Sequence, residues 1–390
     1  MRKIILFIIS LSAVLGLFSQ TMKESVYYLA SGELEGRFPM TKGDTLARKY
    51  IETVFEKNGL KPVLQEFPLR IKDNTLKSNN VFGILKGIDD RMKDEYVVIA
   101  AHFDHLGKKP DRNNPPDTNI FYGADDNASG VAMMLEILHR FADLSALKRS
   151  LLFVAFSGEE EGLIGSKFFT EHLPVENKIV AMFNFDMVGN LRTGRLNIGG
   201  SQTSLEAEAI INEIVKDYNL DIHFSPSGTG PSDHSSFYAK EIPVFFIHTP
   251  ADTTYHTPAD KADRLNYNGM ELISKFSFEL IKNIANRESK LTFQRTKDPD
   301  NTNPARMKVT LGIMPDHSGE VEGVKVDIVS KGKAAEKAGV QVGDIIIAID
   351  EKETPDLYKY MEALSTLNKG DETTIKILRE GKPIVLTVKF

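Results

Sequence analysis

The sequence predicts an α/β fold, a three-layer sandwich with a mostly parallel central sheet, followed by a small β-rich domain at the C-terminus. Continuous apolar runs of five to seven residues support the sheet, because such runs are typical of strands buried on both faces. These runs alternate with amphipathic helical segments, which favours βαβ units and therefore parallel strands. After a polar stretch, residues 306–390 change to short strands with one helix.

The elements can be predicted in chain order. Residues 20 to about 65 predict an N-terminal helical segment, since Tyr50, Val54 and neighbouring apolar residues form a stripe at helical spacing and Gly59 is a suitable stop. Strands are predicted at Asn80–Leu85, Tyr96–Ala101, Leu151–Phe156, Ile179–Phe185 and Pro243–Ile247. Helices are predicted at Ala128–Phe141, Leu205–Tyr218 and Met270–Ala285.

Four segments are predicted along the chain: a signal peptide (1–19), a main domain (20–286), a linker (287–305) and a C-terminal domain (306–390). Arg2 and Lys3 precede the apolar stretch Ile4–Phe18, which at 15 residues is shorter than the about 20 needed to span a membrane. The sequence therefore predicts an exported protein, periplasmic or extracellular, without a stable membrane span after cleavage. An uncleaved N-terminal anchor is the alternative.

Composition excludes several classes of protein. Of the 390 residues, 41% are hydrophobic and 26% charged, which is typical of a soluble globular protein. The net charge of -6 and the lack of a long basic run disfavour a nucleic-acid partner. The chain has no cysteine, which excludes disulfides, a thiolate nucleophile and cysteine-ligated zinc.

Four candidate metal ligands follow predicted strands, and a fifth, Asp125, lies in a glycine-flanked loop before a predicted helix. The five candidates are His102, Asp125, Glu160, Asp186 and His256. Because open α/β sheets place their sites beyond the carboxyl ends of strands, we expect these side chains to converge. Imidazole and carboxylate ligands suit hard or borderline divalent ions, above all zinc, and a pair of such ions is typical of hydrolases.

Neighbouring residues suggest supporting roles and simpler alternatives. His102 and Asp104 lie on the same side of an extended chain, so the Asp104 carboxylate can hold the second imidazole nitrogen. Asp126 or Asn127 can cap the following helix while Asp125 binds metal. The run Glu159–Glu161 is either a solvated acidic turn, or one carboxylate binds a cation while its neighbour accepts a proton.

Other candidates are weaker. Ser129 lacks the Gly-x-Ser-x-Gly setting of a hydrolase nucleophile, which disfavours a serine hydrolase. His105, His234 and His248 lie near the motifs but are not predicted to be ligands.

Taken in order, the motifs resemble the two-zinc aminopeptidase family, which includes bacterial leucyl aminopeptidases and glutamate carboxypeptidase. The resemblance covers roughly residues 25–285 and is most complete at residues 123–130, Gly-Ala-Asp-Asp-Asn-Ala-Ser-Gly, and around Glu159. It implies the zinc exopeptidase fold, two zinc ions per chain and a cis peptide bond after Asp125. The residue roles that it implies are His102 and Asp186 on one zinc, Glu160 and His256 on the other, Asp125 as the bridge, Glu159 as general base and Tyr255 as a hydrogen-bond donor to the tetrahedral intermediate.

The C-terminal segment resembles a PDZ domain of the kind found in bacterial proteases. Leu311–Ile313 matches the carboxylate-binding loop and Leu357–Leu367 the groove helix. The resemblance implies a peptide C-terminus as a possible partner. A structural or dimerising module with an unused groove is an equal alternative.

The expected function is that of an exported metallo-exopeptidase, an aminopeptidase that acts on peptide substrates. A glutaminyl cyclase is one alternative, although such enzymes normally lack the Asp125-Asp126 pair and use tryptophan, which is absent here. A carboxypeptidase or dipeptidase would need a basic pocket, for which Arg192 and Arg195 are the only candidates near the motifs. An inactive PDZ-bearing binding protein is the third alternative.

Overall fold

The structure is a computed structural model that describes residues 22–71, 74–110, 118–142, 144, 147–175, 178–296, 309–315, 321–355 and 357–390. The chain divides into two compact units, one formed by 1–250 with 254–296 and the other by 251–253 with 297–390. The predicted signal peptide and residues 297–305 of the predicted linker lie outside the described residues. Within the described part of the chain, no helix has the length and apolar character needed to cross a bilayer.

An eight-stranded sheet forms the middle of the first unit, in the order β1-β2-β6-β3-β7-β10-β8-β9. Its strands are β1 (Val63–Ile71), β2 (Asn74–Leu85), β3 (Tyr96–His102), β6 (Ser150–Phe156), β7 (Ile179–Phe185), β8 (Arg195–Gly199), β9 (Asp221–Ser225) and β10 (Val244–His248). Strand β3 runs parallel to β6 and β7, and β7 runs parallel to β10. Antiparallel pairs join β1 to β2, β2 to β6 and β10 to β8. Two short strands, β4 (Lys108–Pro110) and β5 (Thr118–Ile120), pair separately.

Helices cover both faces of this sheet, which confirms the predicted α/β fold class. They are α1 (22–29), α2 (Lys42–Lys57), α3 (Gly130–Ala142), α4 (Ile164–Glu171), α5 (Ala207–Ile214), α6 (His234–Tyr238) and α7 (Tyr267–Asn286). Val97 and Ile99 of β3 pack in a core with residues of α2, α3 and α7. Val98 and Ala100 pack in a second core with Phe169 of α4 and residues of α6. Alternate residues of one strand thus enter opposite layers, which explains why β3 reads as a continuous apolar run.

The second unit is an antiparallel sheet with two helices. Its strands are β11 (Ile313–Pro315), β12 (Val324–Val329), β13 (Ile345–Ile349), β14 (Lys352–Glu353), β15 (Glu372–Arg379) and β16 (Lys382–Lys389), and its helices are α8 (Ala334–Ala338) and α9 (Leu357–Ser365). The predicted groove helix corresponds to α9. In the predicted carboxylate loop, Gly312 has φ 77°, and a Cβ added there would lie 2.2 Å from the Lys333 Cβ.

Strands β1, β8 and β9 were not predicted. Pro68 in β1 lowers strand propensity, yet β1 is the edge of the sheet, where a missing N–H is tolerated. Strands β8 and β9 have five residues each, and their polar residues, together with the glycines beside β8 and Pro226 after β9, resemble those of loops.

Helix α3 buries a carboxylate whose ionisation affects stability. The Glu136 side chain has no exposed surface, and its Oε1 lies 2.9 Å from Arg140 Nε. Burial is the main cause that raises the pKa of Glu136 to about 7; Arg140 opposes the shift and Glu271 adds to it. Between the unfolded-state pKa, about 4.3, and 7, the native state binds more protons than the unfolded state, so this group lowers stability as the pH rises.

Glu136→Gln removes the buried carboxylate. We therefore expect its effect on the free energy of unfolding to be about 1–3 kcal/mol more stabilising at pH 8 than at pH 5. Arg140 keeps a partner in the variant, because its Nη2 donates to Glu271 at 3.0 Å. Urea denaturation of the variant and the wild type at both pH values measures the free energy of unfolding of each. Comparing the two proteins at the same pH removes the pH dependence of the ionisable groups that they share. An equal effect at pH 5 and pH 8 would contradict the expectation.

Candidate metal centre

The candidate site lies at the carboxyl ends of four adjacent strands. His102 is the last residue of β3, and Asp186 directly follows β7. Glu160 follows β6 after a short turn, and His256 follows β10 after a loop. Because β6, β3, β7 and β10 are consecutive in the sheet, with parallel neighbours, their carboxyl ends meet at one edge.

Two groups of side chains at this edge have the donor atoms of metal sites. One group is His102, Asp126 and Asp186; the other is His105, Asp126, Glu160 and His256; within each, the donor atoms lie within 4.8 Å of one another. His102 Nε2 is 3.4 Å from Asp126 Oδ1 and 3.3 Å from Asp186 Oδ1. His256 Nε2 is 2.9 Å from Asp126 Oδ2 and 3.2 Å from Glu160 Oε2. The two oxygens of Asp126 therefore face different groups, as in a bridging carboxylate.

The structure corrects the position of the predicted bridge from Asp125 to Asp126. Asp125 Oδ1 accepts a hydrogen bond from the Gly189 N–H at 2.7 Å, and its Oδ2 accepts one from Asn190 Nδ2 at 2.6 Å. Its carboxylate thus anchors the chain after β7 instead of facing the two groups. Consecutive side chains in this turn point in different directions, and the sequence alone does not say which of the two aspartates faces the site.

The turn that carries Asp126 requires a glycine at its start. Gly123 has φ 58°, and a Cβ there would lie 2.2 Å from the Asp126 carbonyl oxygen and 2.5 Å from His105 Cδ2. The peptide bond between Asp126 and Asn127 is cis, one residue later than the resemblance implied. The Asn127 side chain accepts a hydrogen bond from the Gly130 N–H at 2.9 Å and so caps α3.

Two buried carboxylates hold the backbone of the ligand segments. Asp104 accepts hydrogen bonds from the N–H groups of Glu159 and Glu160, at 3.2 and 3.3 Å. Its Oδ1 is 3.7 Å from His102 Nδ1, which is nearer to the Asp104 backbone carbonyl, at 3.3 Å. Asp260 accepts hydrogen bonds from the N–H groups of Asp125 and Asp126, at 2.9 and 3.2 Å. Asp260 was not predicted as a site residue, although it lies only four residues after His256.

His105 also belongs to the site, contrary to its treatment in the sequence analysis. Its ring is fully buried, and its Nδ1 is 2.7 Å from Glu160 Oε1. Its Nε2 is buried without a hydrogen-bond partner among the described residues. The sequence offered one signal for this role, which is that His105 directly follows Asp104.

Glu159 and Tyr255 accompany the two groups without belonging to either among the described residues. Burial raises the pKa of Glu159 well above its usual value, an effect that His102 opposes and Asp186 reinforces. The Tyr255 ring stacks on His256, with centroids 3.8 Å apart. Burial and the nearby carboxylates raise the pKa of Tyr255 well above its usual value, so the phenol keeps its proton and can donate a hydrogen bond.

The residues present fit a pair of zinc ions. Imidazole nitrogen and carboxylate oxygen are ligands that zinc accepts, and no thiolate competes. Asp126, Glu160 and Asp186 lie together in a largely buried site. Such a cluster of anions needs cations to compensate it, and bound divalent ions would supply them.

Comparison with known proteins identifies two families. Residues 80–281 match peptidase family M28, and residues 279–390 match the PDZ domain. A probable leucine aminopeptidase of Arthroderma otae is 29% identical over 235 residues, which cover 53% of this chain and 60% of that protein. Aminopeptidase YwaD of Bacillus subtilis is 27% identical over 242 residues, which cover 56% of this chain and 48% of that protein. The chain thus spans about half the length of these relatives.

Solved structures show the same fold. An aminopeptidase from Aneurinibacillus sp. strain AM-1 superposes with a TM-score of 0.57 at 17% identity, covering 72% of this chain and 96% of that one. A glutaminyl cyclase from Bacteroides thetaiotaomicron superposes with a TM-score of 0.56 at 18% identity, covering 68% and 97%. Because the two scores are nearly equal, the fold does not discriminate between these activities.

Proposed function

Since the chain belongs to peptidase family M28, we propose that it is a two-zinc exopeptidase, an aminopeptidase that releases N-terminal residues from peptides. The observation that carries the proposal is Asp126, whose two oxygens face two separate groups of metal-type side chains. The names of the curated relatives support the same activity.

In the proposed site, His102 and Asp186 would hold one zinc, Glu160 and His256 would hold the other, and Asp126 would supply one carboxylate oxygen to each. Two zinc ions bound there would lower the pKa of a shared water towards about 7 and polarise the scissile carbonyl. His105 Nδ1 contacts the outer oxygen of Glu160, Oε1, and so orients Glu160 Oε2 towards His256.

Glu159 is the general base in this proposal. Its carboxylate lies outside both groups, and Asp104 fixes its backbone N–H. Glu159 accepts a proton from the attacking water and then transfers it to the leaving amine. Tyr255 donates a hydrogen bond to the oxygen that becomes negatively charged as the water attacks.

The charge of the site favours an N-terminal substrate over a C-terminal one. A substrate α-amino group is cationic, and the carboxylates of Asp126, Glu160 and Asp186 give the site an acidic character that suits it. A carboxypeptidase would need a cation that faces the pocket. The two candidates are engaged with asparagine side chains: Arg192 Nη2 donates to Asn190 Oδ1 at 3.2 Å, and Arg195 Nε donates to Asn197 Oδ1 at 3.0 Å.

The proposal is tested by metal quantification together with a panel of aminoacyl chromogenic substrates and their N-acetylated counterparts. We expect two zinc ions per chain, cleavage of the free-amine substrates and no cleavage of the blocked ones. Equal cleavage of blocked and free substrates would reject the aminopeptidase activity and keep the hydrolase. Cyclisation of N-terminal glutamine without cleavage would indicate a glutaminyl cyclase, and absence of bound metal would indicate an inactive binding protein.

Export and a PDZ ligand are further parts of the proposal. The charge and apolar pattern of residues 1–19 supports a cleaved signal peptide, so secreted or periplasmic protein should begin at Gln20 by mass spectrometry. Retention of residues 1–19 in that protein would contradict cleavage.

The match of residues 279–390 to the PDZ domain supports binding of a peptide C-terminus. Peptides with a free C-terminus should bind the full chain more tightly than their amides, and equal binding would leave the groove without this role.

A further inference from the structure

Arg37 is a fully buried arginine behind the metal centre, with 1% of its surface exposed. Its guanidinium donates four hydrogen bonds, and all four acceptors are backbone carbonyl oxygens. These are the carbonyls of Phe103 from Nε at 2.8 Å, Leu29 and Tyr122 from Nη1 at 2.5 and 2.8 Å, and Gly123 from Nη2 at 2.8 Å. A planar guanidinium can satisfy several acceptors at fixed directions, which an ammonium group cannot.

Two of these carbonyls belong to the segments that carry metal-type side chains. Phe103 lies between His102 and Asp104, and Gly123 begins the turn that carries Asp126. His102 and Asp126 come from separate parts of the chain, β3 and the turn before α3. The Arg37 side chain is therefore hydrogen-bonded both to Phe103, which follows His102, and to Gly123, which begins the turn that carries Asp126.

The backbone around Arg37 makes the same connection. The Arg37 carbonyl accepts a hydrogen bond from the His105 N–H at 3.3 Å, and the Gly36 carbonyl accepts one from the Gly107 N–H at 3.0 Å. Gly36 has φ 74°, and a Cβ there would lie 2.3 Å from the Phe121 carbonyl oxygen. Arg37, which follows Gly36, therefore packs closely against the segment that ends in His105.

Arg37 also places a positive charge beside the carboxylates of the site. Burial lowers the pKa of Arg37 to about 10, while Asp126, Asp260, Asp104 and Glu160 act to raise it. The guanidinium is therefore protonated at neutral pH, and its charge partly offsets the repulsion between the carboxylates.

We propose that Arg37 is a positioning residue for the metal centre, which holds the His102 segment and the Asp126 turn at the separation that divalent ions require. Its loss should therefore weaken metal binding as well as the fold. The inference rests on the proposed function only in that the site binds zinc, and it holds for any substrate.

Arg149 provides a matched control. It is also 1% exposed, and it donates to Glu95 Oε2 at 2.8 Å and to the carbonyls of Ile284 and Arg287. It directly precedes β6, so it lies at the amino ends of the parallel strands, opposite the metal centre. A purely structural contribution of a buried arginine should be equal at the two positions.

The experiment compares Arg37→Lys with Arg149→Lys in the full chain. Each variant retains the charge and loses the geometry of the guanidinium. Zinc affinity, measured without substrate by competition with a chromogenic chelator, should fall about 10–100-fold in Arg37→Lys, as for other residues that orient metal ligands. It should be unchanged in Arg149→Lys, even if the apo forms of both variants lose stability.

Wild-type zinc affinity in Arg37→Lys would overturn the proposal and leave Arg37 with a structural role alone. If Arg37→Lys does not fold without metal, saturating zinc should restore the fold, because the variant can still bind metal weakly. Failure to fold in saturating zinc, while Arg149→Lys folds, would equally overturn it. Wild-type protein that binds zinc but cleaves no peptide would reject the proposed function and leave this comparison intact.

Discussion

Replacing Glu159 with glutamine is expected to lower kcat by two to four decades, which is about the contribution of a general base. The amide has nearly the same shape as the carboxylate but cannot accept the proton of the attacking water. Zinc content should not change, because Glu159 lies outside both groups of ligands among the described residues. KM should change little, so steady-state kinetics together with metal analysis separate a lost base from a lost ion.

Glu161→Gln is the matched control for this variant. Glu161 lies on the same turn and has the same side chain, but it is exposed. Its replacement removes one negative charge near the site and no predicted catalytic group, so activity should stay near that of the wild type. Equal losses in the two variants would indicate a general effect of charge, and near-wild-type kcat in Glu159→Gln would remove Glu159 from the mechanism.

Asp126→Asn is expected to have an effect of similar size for a different reason. A bridging position needs two anionic oxygens, and asparagine offers one neutral oxygen and an NH₂ group that repels cations. We expect the variant to lose bound zinc and, with it, several kcal/mol of transition-state stabilisation, or roughly two to four decades in kcat/KM. Metal analysis after dialysis and initial rates in excess zinc measure the two losses.

Asp125→Asn is the comparison that tests the corrected assignment. Both oxygens of Asp125 accept hydrogen bonds, from Gly189 N–H and from Asn190 Nδ2. One of these donors would face the new NH₂ group, at a cost of about 1–3 kcal/mol in the free energy of unfolding. The variant should retain zinc and lose stability. The reverse pattern, with zinc lost in Asp125→Asn and kept in Asp126→Asn, would restore the assignment made from the sequence.

Much of the fold could be predicted from the sequence because the central strands are buried on both faces. The strand Ile179–Phe185 was predicted with the bounds that the structure has, and the strand predicted at Tyr96–Ala101 ends one residue later, at His102. Their apolar runs leave little freedom in where the strand begins and ends. The convergence of four predicted ligands at one edge followed from the same pattern, since each follows a buried strand, directly or after a turn or loop.

The remaining features depend on tertiary contacts that the sequence does not encode locally. The choice between Asp125 and Asp126 is made by the Gly189 and Asn190 donors, more than sixty residues away. Arg37 reads as an ordinary polar residue in a loop, and only the folded chain brings the four carbonyls around it. Asp260 is similar, because its carboxylate accepts hydrogen bonds from backbone N–H groups that lie over 130 residues earlier in the chain.

The candidate ligand side chains of the first unit span residues 102–256 and come from the ends of four strands and from the turn before α3. No short peptide within this chain therefore contains a complete set of donors, in contrast to zinc fingers, whose closely spaced ligands let the metal drive folding. The sheet must assemble before these donors can form a metal site. We therefore expect metal to bind after the sheet has formed, and chelation to yield an apo form that keeps its architecture and can be recharged with metal.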